Sequence, residues 1–416
     1  MISSVLVAFR ERIRERAADA GLARALRDLE SHEVAFVSGT GAGAAHGVIA
    51  IGAHGIEFLR EHAGAEPLPQ LTATGSEAAW EALLAGERSW VASTNAALGS
   101  IRIAGDPVVW AWLTPILSRL FAPRATIAVP VGSIVGAHAD TSTVTGRYVE
   151  VRGVQAYYEA TVVANPAADE VPPVLLLHTA GRDGRQWHAV MERLGASHRL
   201  YAPDLPGHGK SWPQHPEPCL SDIEEIARWL LEFMTAVGHE RFVVAGTSVG
   251  GNLALLLPAL SSRVLGSVAF QGSDHSPTIS ETALQLMEHP RVSLPFSSMD
   301  QALSLVGERA VPEARAIIEW SILTLSPPPQ RGDLTAYTRT DTRHLMASIG
   351  CPVTLVHGDQ DWLATREMVE AAASRIVNAP DLQVVTMPGI GHYPHLEAPD
   401  TAAALIEQMA RSVQPG

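Results

Sequence analysis

Hydrophobic and polar positions follow two rhythms along this chain. From about residue 146 onward, short apolar runs alternate with segments in which apolar residues recur every three to four positions. Residues 173–177, 198–202, 242–245, 264–270, 353–357 and 383–387 read as strands. Between them, helical spacing begins at Trp187 and covers 221–237 and 253–260. Residues 147–152 and 155–163 add a strand pair turning at Gly153. Strand then helix, repeated, predicts a mostly parallel sheet with helices on both faces.

The first 145 or so residues are organised differently. Val5, Phe9, Ile13 and Ala17 fall at helical spacing, and 22–29 continues after Gly21, which predicts an amphipathic helix pair. Residues 34–37, 47–51 and 71–74 read as short strands. Thr74-Gly75-Ser76-Glu77 has the form of a capping box opening a helix with Trp80, Leu83 and Leu84. Residues 100–103 alternate like a strand, Gly105-Asp106 reads as a turn, and 107–120 as a strongly apolar helix. His32, His46, His54 and His62 stand in no partner pattern and read as ordinary surface or core histidines.

A small, polar stretch at 131–146 reads as a linker. The alternation breaks again over 272–343, where helical pieces at 279–289, 299–307 and 312–325 end at Pro327-Pro328-Pro329.

Composition narrows the classes. A chain of 416 residues is long for one core and predicts two domains. No run approaches the ~18 apolar residues of a membrane span. The net charge of −14 argues against nucleic acid or an anionic membrane surface as partner. Met1-Ile2-Ser3-Ser4-Val5-Leu6 meets Arg10 at once and lacks the order of a signal peptide. Cys219 and Cys351 form no metal or redox motif and read as buried thiols of a reducing, cytoplasmic compartment. Neither a metal nor a cofactor is expected.

The chemistry centres on Phe242-Val243-Val244-Ala245-Gly246-Thr247-Ser248-Val249-Gly250-Gly251. This is G-x-S-x-G with an apolar strand before it and a helix-compatible run after it, the context a nucleophile elbow requires. The turn strains the serine backbone, and small residues let strand and helix approach. The helix start supplies the Val249 N–H and a positive dipole end, both suited to an oxyanion.

Five motifs stand in register. They are His178-x-x-Gly181, Asp204-x-x-Gly207-x-Gly209-x-Ser211, Gly246-x-Ser248-x-Gly250, Gly358-x-x-Asp361 and Gly391-His392. In this order they resemble the α/β-hydrolase superfamily over essentially all of 146–416. A serine needs a base to take its proton, and His392 follows the last predicted strand, with His395 as rival. The histidine needs a carboxylate to fix its tautomer. Asp361 stands at the family's acid position, and Asp359 reads as a turn residue. Chain order is Ser248, Asp361, His392, as the fold requires.

The resemblance also places the second oxyanion N–H on Ala180. Where that loop usually carries glycine, this chain has Thr179, whose β-branch restricts the backbone. Arg182 and Asp183 could contact substrate or simply pair on the surface, the second being the favoured reading, and 204–211 is expected to buttress the site with His208 as a turn histidine. The superfamily inserts a helical cap where 272–343 lies. Met287, Phe296 and Trp320 from it, with Thr179, are candidate pocket residues.

Residues 71–87, LTATGSEAAWEALLAGE, and 98–106, LGSIRIAGD, are similar to sterol-carrier-protein-like domains. That resemblance implies an α+β fold with a cavity for a lipid-like molecule, or a dimerisation surface.

The resulting fold class is α/β: a doubly wound, mostly parallel α/β-hydrolase sheet with a helical cap, plus a smaller N-terminal α+β domain. Expected boundaries are 1–130 for that domain, 131–146 for the linker, 147–271 and 344–416 for the two halves of the hydrolase core, and 272–343 for the cap. The expected activity is hydrolysis of a hydrophobic ester, lactone or thioester. The alternatives are carbon–carbon hydrolysis of the ring-fission-product type and a non-catalytic lipid-binding protein.

Overall fold

The computed structural model describes residues 4–16, 22, 26, 29–39, 45–62, 69–95, 97–122, 143–163, 171–213, 221–286, 289, 291–292, 294–324 and 327–413. Cys219, Met287 and 131–142 lie outside them, as do the side chain of Phe296 and most of 17–28. The chain forms two compact units. One comprises 1–129 with 280–304, the other 130–279 with 305–416.

The first unit is α+β. Its strands are β1 (His32–Ser38), β2 (Ala45–Gly52), β3 (Gly55–His62), β4 (Leu71–Gly75) and β5 (Ile101–Ala104), in sheet order β3-β2-β1-β4-β5. The pairings are antiparallel except β1 with β4. The sequence pattern missed β3, whose Glu57, Arg60 and Glu61 interrupt any simple apolar alternation. It also missed the five-residue helix Trp90–Thr94, which is too short to show a period. The helix Glu77–Ala85 is capped by Ser76, whose Oγ accepts from Ala79 N at 3.2 Å. Thr74 belongs to β4, so the expected capping box does not form. A Ser N-cap stabilises a helix by about 1 kcal/mol. Phe9, Phe36, Trp80, Trp90 and Phe121 pack over the sheet, with Phe9 and Phe36 ring centres 4.6 Å apart. The helix Leu294–Ser304 packs in this unit beside Pro107–Phe121. Trp112 Nε1 donates to Arg291 O at 3.0 Å.

The second unit holds β6 (Thr143–Val151), β7 (Val154–Val162), β8 (Val174–Leu177), β9 (Leu200–Pro203), β10 (Phe242–Thr247), β11 (Val264–Phe270), β12 (Val353–Gly358) and β13 (Leu382–Met387). Sheet order is β13-β12-β11-β10-β8-β9-β7-β6. The strands from β13 to β9 run parallel, and β7 and β6 add an antiparallel edge. All residues of β8, β10 and β11 are buried, as a sheet covered on both faces requires. Alternate residues feed opposite cores. Leu175, Leu177, Phe242 and Val244 meet Trp229, Leu230 and Phe233 of the helix Ile223–Ala236. Val174, Leu176, Val243 and Ala245 meet Met191, Ile406 and Met409 on the other face.

The chain goes from β8 outward to β9, then returns to place β10 on β8's other side. Strand order therefore reverses at β8 and β10, and the crevice beyond their carboxyl ends is where open α/β sheets bind ligands. Between β11 and β12 lie the helices Pro312–Leu323 and Pro327–Thr338, with 280–304 preceding them in the other unit. The three prolines at 327–329 open a helix instead of ending one. Proline is tolerated in a first turn, where its missing N–H would have no partner. Among the described residues no helix is long and apolar enough to cross a membrane.

Candidate active site

Ser248 follows the last residue of β10 and caps the helix Val249–Leu260. Its backbone is left-handed, with φ 61° and ψ −119°. A non-glycine residue there costs on the order of 1–3 kcal/mol and persists only when its surroundings hold it. The hold is visible: Ser248 N donates to Phe270 O at 3.0 Å, and Asn252 N donates to Ser248 O at 2.8 Å. The flanking glycines are required by close approach. A Cβ on Gly246 would strike the Gly250 carbonyl, and one on Gly250 would strike the Leu177 carbonyl.

His392 lies on the loop after β13, and its Nδ1 is 2.6 Å from Asp361 Oδ2. Asp361 Oδ1 accepts from Leu363 N at 2.8 Å and Ala364 N at 3.2 Å. Both side chains are buried. Since Nδ1 faces a carboxylate, it carries the proton, and Nε2 is left to accept one. Asp359 turns elsewhere and accepts from Gly389 N at 2.7 Å. His395 is wholly buried, with Nδ1 3.0 Å from Thr247 Oγ1 and its ring 4.5 Å from Trp187. Burial, then the neighbouring His392 and His178, press its pKa down to about 3. A histidine so depressed is a poor base at neutral pH.

The loop after β8 is fixed by its own hydrogen bonds. His178 Nε2 accepts from Leu205 N at 3.1 Å, so its Nδ1 donates to Thr179 O, 2.8 Å away. Arg182 N donates to the same carbonyl at 3.2 Å. In a trans peptide the Ala180 N–H points opposite to the Thr179 carbonyl, away from these partners. Thr179 itself is committed: its N and Oγ1 both donate to Gln186 Oε1, at 3.0 and 3.1 Å. Burial, then His208, lowers the His178 pKa to about 4. Trp320 is 42% exposed, with the Arg185 guanidinium 3.7 Å from its ring centre.

Glu397, Gln271 and Asp333, which the sequence did not single out, hold this geometry together with Asp204 and His208 of the expected buttress. Glu397 is wholly buried and accepts three backbone N–H groups, from Gly307 at 2.8 Å, Gly391 at 2.7 Å and Tyr393 at 2.9 Å. His392 N donates to Leu305 O at 2.8 Å. Gln271, itself at φ 49°, donates from Nε2 to Gly391 O at 2.9 Å. Asp333 accepts from Gly181 N at 2.8 Å and lies 2.9 Å from His208 Nε2. Burial alone would lower the His208 pKa, but the Asp333 charge and hydrogen bond raise it. Asp204 accepts from Gly184 N and Lys210 N at 2.8 and 2.7 Å, tying 204–211 to the loop after β8. The Glu397–Gly307, Gln271–Gly391, His392–Leu305 and Asp333 contacts join residues far apart in sequence, so no local spacing signals them.

Arg182 differs from expectation. It is 7% exposed, and Asp183, equally buried, pairs instead with Arg185, at 3.0 and 2.6 Å. Cys351 is buried, and burial raises its thiol to about 11. Among the described residues no group of three or more metal-ligating side chains occurs.

Residues 174–405 match a protein family described as the alpha/beta hydrolase family. A pimeloyl-[acyl-carrier protein] methyl ester esterase of Aeromonas hydrophila is 26% identical over 251 residues, covering 57% of this chain and 94% of its own. The protein of the same description from Pectobacterium atrosepticum is 28% identical over 257 residues, covering 58% and 94%. Among solved structures, the enol-lactonase from Burkholderia xenovorans LB400 superposes with TM-score 0.55 at 20% identity, over 63% of this chain and 99% of its own. A thermophilic esterase from Thermogutta terrifontis gives TM-score 0.55 at 23% identity, over 66% and 100%. At these identities the two structures speak to the fold.

Proposed function

The chain belongs to the alpha/beta hydrolase family, and on that premise we propose that it cleaves a carboxylic ester through Ser248, His392 and Asp361. One observation carries the reading. A serine held at positive φ on a strand–helix turn shares its unit with a buried histidine whose Nδ1 lies 2.6 Å from a carboxylate.

In this mechanism Ser248 Oγ attacks the acyl carbon while His392 Nε2 takes its proton. Asp361 holds the Nδ1 proton and stabilises the imidazolium. The carbonyl oxygen becomes an oxyanion, which the Val249 and Ala180 N–H groups stabilise at the positive end of the helix Val249–Leu260. His392 then protonates the leaving alcohol, and a water molecule, deprotonated by His392, releases the acid. The esterase descriptions of the curated relatives agree with this chemistry. A fluorophosphonate probe tests it: mass spectrometry should find the adduct on Ser248, and labelling elsewhere, or none, would sink the assignment.

For the N-terminal unit we propose a lipid-like occupant. A cavity of about 420 Å3 supports this reading, with Ile13, Leu22, Leu26 and Ile56 in its wall beside the polar Ser31, His54 and Glu57. Delipidated protein should bind a fluorescent fatty acid at one site per chain, and failure to bind would remove the reading.

A further inference from the structure

Beside the loop that carries Ala180 lies a cavity of about 230 Å3, lined by Arg182, Asp183, Arg185, His208 and Lys210 among others. Four of these five residues are basic. The acidic groups around the cavity are partly engaged, and Asp333 Oδ1 has no hydrogen-bond partner among the described residues. Asp183 takes two hydrogen bonds from Arg185, at 3.0 and 2.6 Å. Asp333 takes Gly181 N at 2.8 Å and lies 2.9 Å from His208. Lys210 is partly exposed and stands 3.9 Å from Glu159.

Arg182 forms no close ion pair among the described residues, and the Asp183 and Asp333 charges act on it from farther away. It is 93% buried by its 7% exposure, and its Nε and Nη1 have no hydrogen-bond partner among the described residues. The Tyr393 hydroxyl shares a hydrogen bond with it, and a phenol is neutral at ordinary pH. The Asp183 and Asp333 charges offset part of its desolvation, and a buried cation compensated only in part is costly. Two unfilled N–H groups add to that cost. Both costs fall if an anion enters.

The position of this residue bears on the proposed reaction. Arg182 stands two residues from Ala180, a span of at most about 7 Å. Its partner Tyr393 is the neighbour of His392 in sequence.

We infer that this cavity is an anion subsite in which Arg182, helped by Lys210, binds a carboxylate of the substrate, so that the enzyme takes esters carrying a carboxylate a few atoms from the scissile carbonyl. The inference rests on the proposed serine hydrolase reading for its link to turnover. The guanidinium hydrogen-bonds carboxylates strongly, and the small cavity admits a carboxylate and its first carbons. Binding there fixes which end of a substrate faces Ser248 and contributes orientation to the chemical step.

The test uses the full chain and two readouts. The first is binding of succinate and glutarate by calorimetry to wild type and Arg182→Gln. Wild type should bind one diacid per chain, and the variant should bind at least ten times more weakly, with Arg182→Lys recovering part of the loss. Equal binding by wild type and Arg182→Gln, or no binding by wild type, overturns the subsite whatever the enzyme hydrolyses. If Arg182→Gln does not fold, Lys210→Gln at a partly exposed position takes its place, with at least threefold weaker binding expected and unchanged binding contradicting the subsite. The second readout is kcat/KM for monomethyl succinate and monomethyl glutarate against methyl esters of matching length without the acid. Wild type should favour the charged ester, and the ratio should fall at least tenfold in Arg182→Gln. An unchanged ratio contradicts the inference. Arg182-dependent diacid binding with no ester turned over would refute the esterase reading and leave the anion site standing.

Discussion

His392 Nδ1 and Asp361 Oδ2 stand 2.6 Å apart, and the second carboxylate oxygen is held by the Leu363 and Ala364 N–H groups. The carboxylate has no freedom to turn, so the imidazole tautomer is set by the backbone after β12. In Asp361→Asn an amide replaces one acceptor, and the histidine no longer has a carboxylate for its Nδ1 proton. The expected loss in kcat is about 10^4, with a much smaller change in KM. Steady-state kinetics on any turned-over ester decides it, and a loss under tenfold contradicts the role given to Asp361.

Glu397 offers a separate test of how the histidine loop is held. Its two carboxylate oxygens accept Gly307, Gly391 and Tyr393 N–H groups. Glu397→Gln turns one acceptor into a donor that must face an N–H. Such an unsatisfied buried group costs roughly 1–3 kcal/mol. Urea unfolding should show that loss with an unchanged slope, together with slower ester turnover. A variant as stable and active as wild type would show that the loop is held otherwise.

Two of the buried histidines, His178 and His395, make a strong contribution to the pH dependence of stability. Burial holds the pKa of His178 at about 4 and of His395 at about 3. In the unfolded chain both protonate near 6.5. Below that value the unfolded state binds more protons, so their contribution is complete above about 6.5 and is lost as pH falls toward the folded values. The slope is at most ~1.4 kcal/mol per pH unit for each group. Asp204, raised to about 7 by burial and then Asp183, acts oppositely: its contribution is complete below about 3.8 and is lost as pH rises through about 7. The raw stability curve therefore mixes both signs. The cost of His395→Gln, measured by urea unfolding at several pH values, isolates one histidine. That cost should shrink steadily from pH 6.5 down to pH 4.5, and a cost independent of pH would contradict the buried neutral imidazole.

The elbow was legible because strand, glycine turn and helix start are adjacent in sequence, and their requirements are local. The places of Asp361 and His392, on the loops after β12 and β13, were legible because they follow strands of recognisable pattern. The supports were not. Gln271 and Asp333, and Glu397 in its bond to Gly307, act on backbone groups that only the folded chain brings near, so their spacing in the chain carries no signal. For Arg182 the sequence allowed substrate contact but favoured pairing on the surface, since the residue sits in a polar loop, whereas the turn at Gly181, with φ 67°, coincides with its burial. The stretch 272–343 looked like one inserted cap, yet 280–304 clusters with the N-terminal unit. Its helices are too short and weakly periodic to show which unit they pack against.

The most direct test of the central claim is hydrolysis of p-nitrophenyl esters of increasing acyl length by wild type and Ser248→Ala, with both proteins shown to be folded. The account predicts that wild type turns over at least one ester and that the variant loses several orders of magnitude in kcat, as removal of a nucleophile requires. A Ser248→Ala protein that hydrolyses the same esters at the wild-type rate would contradict it.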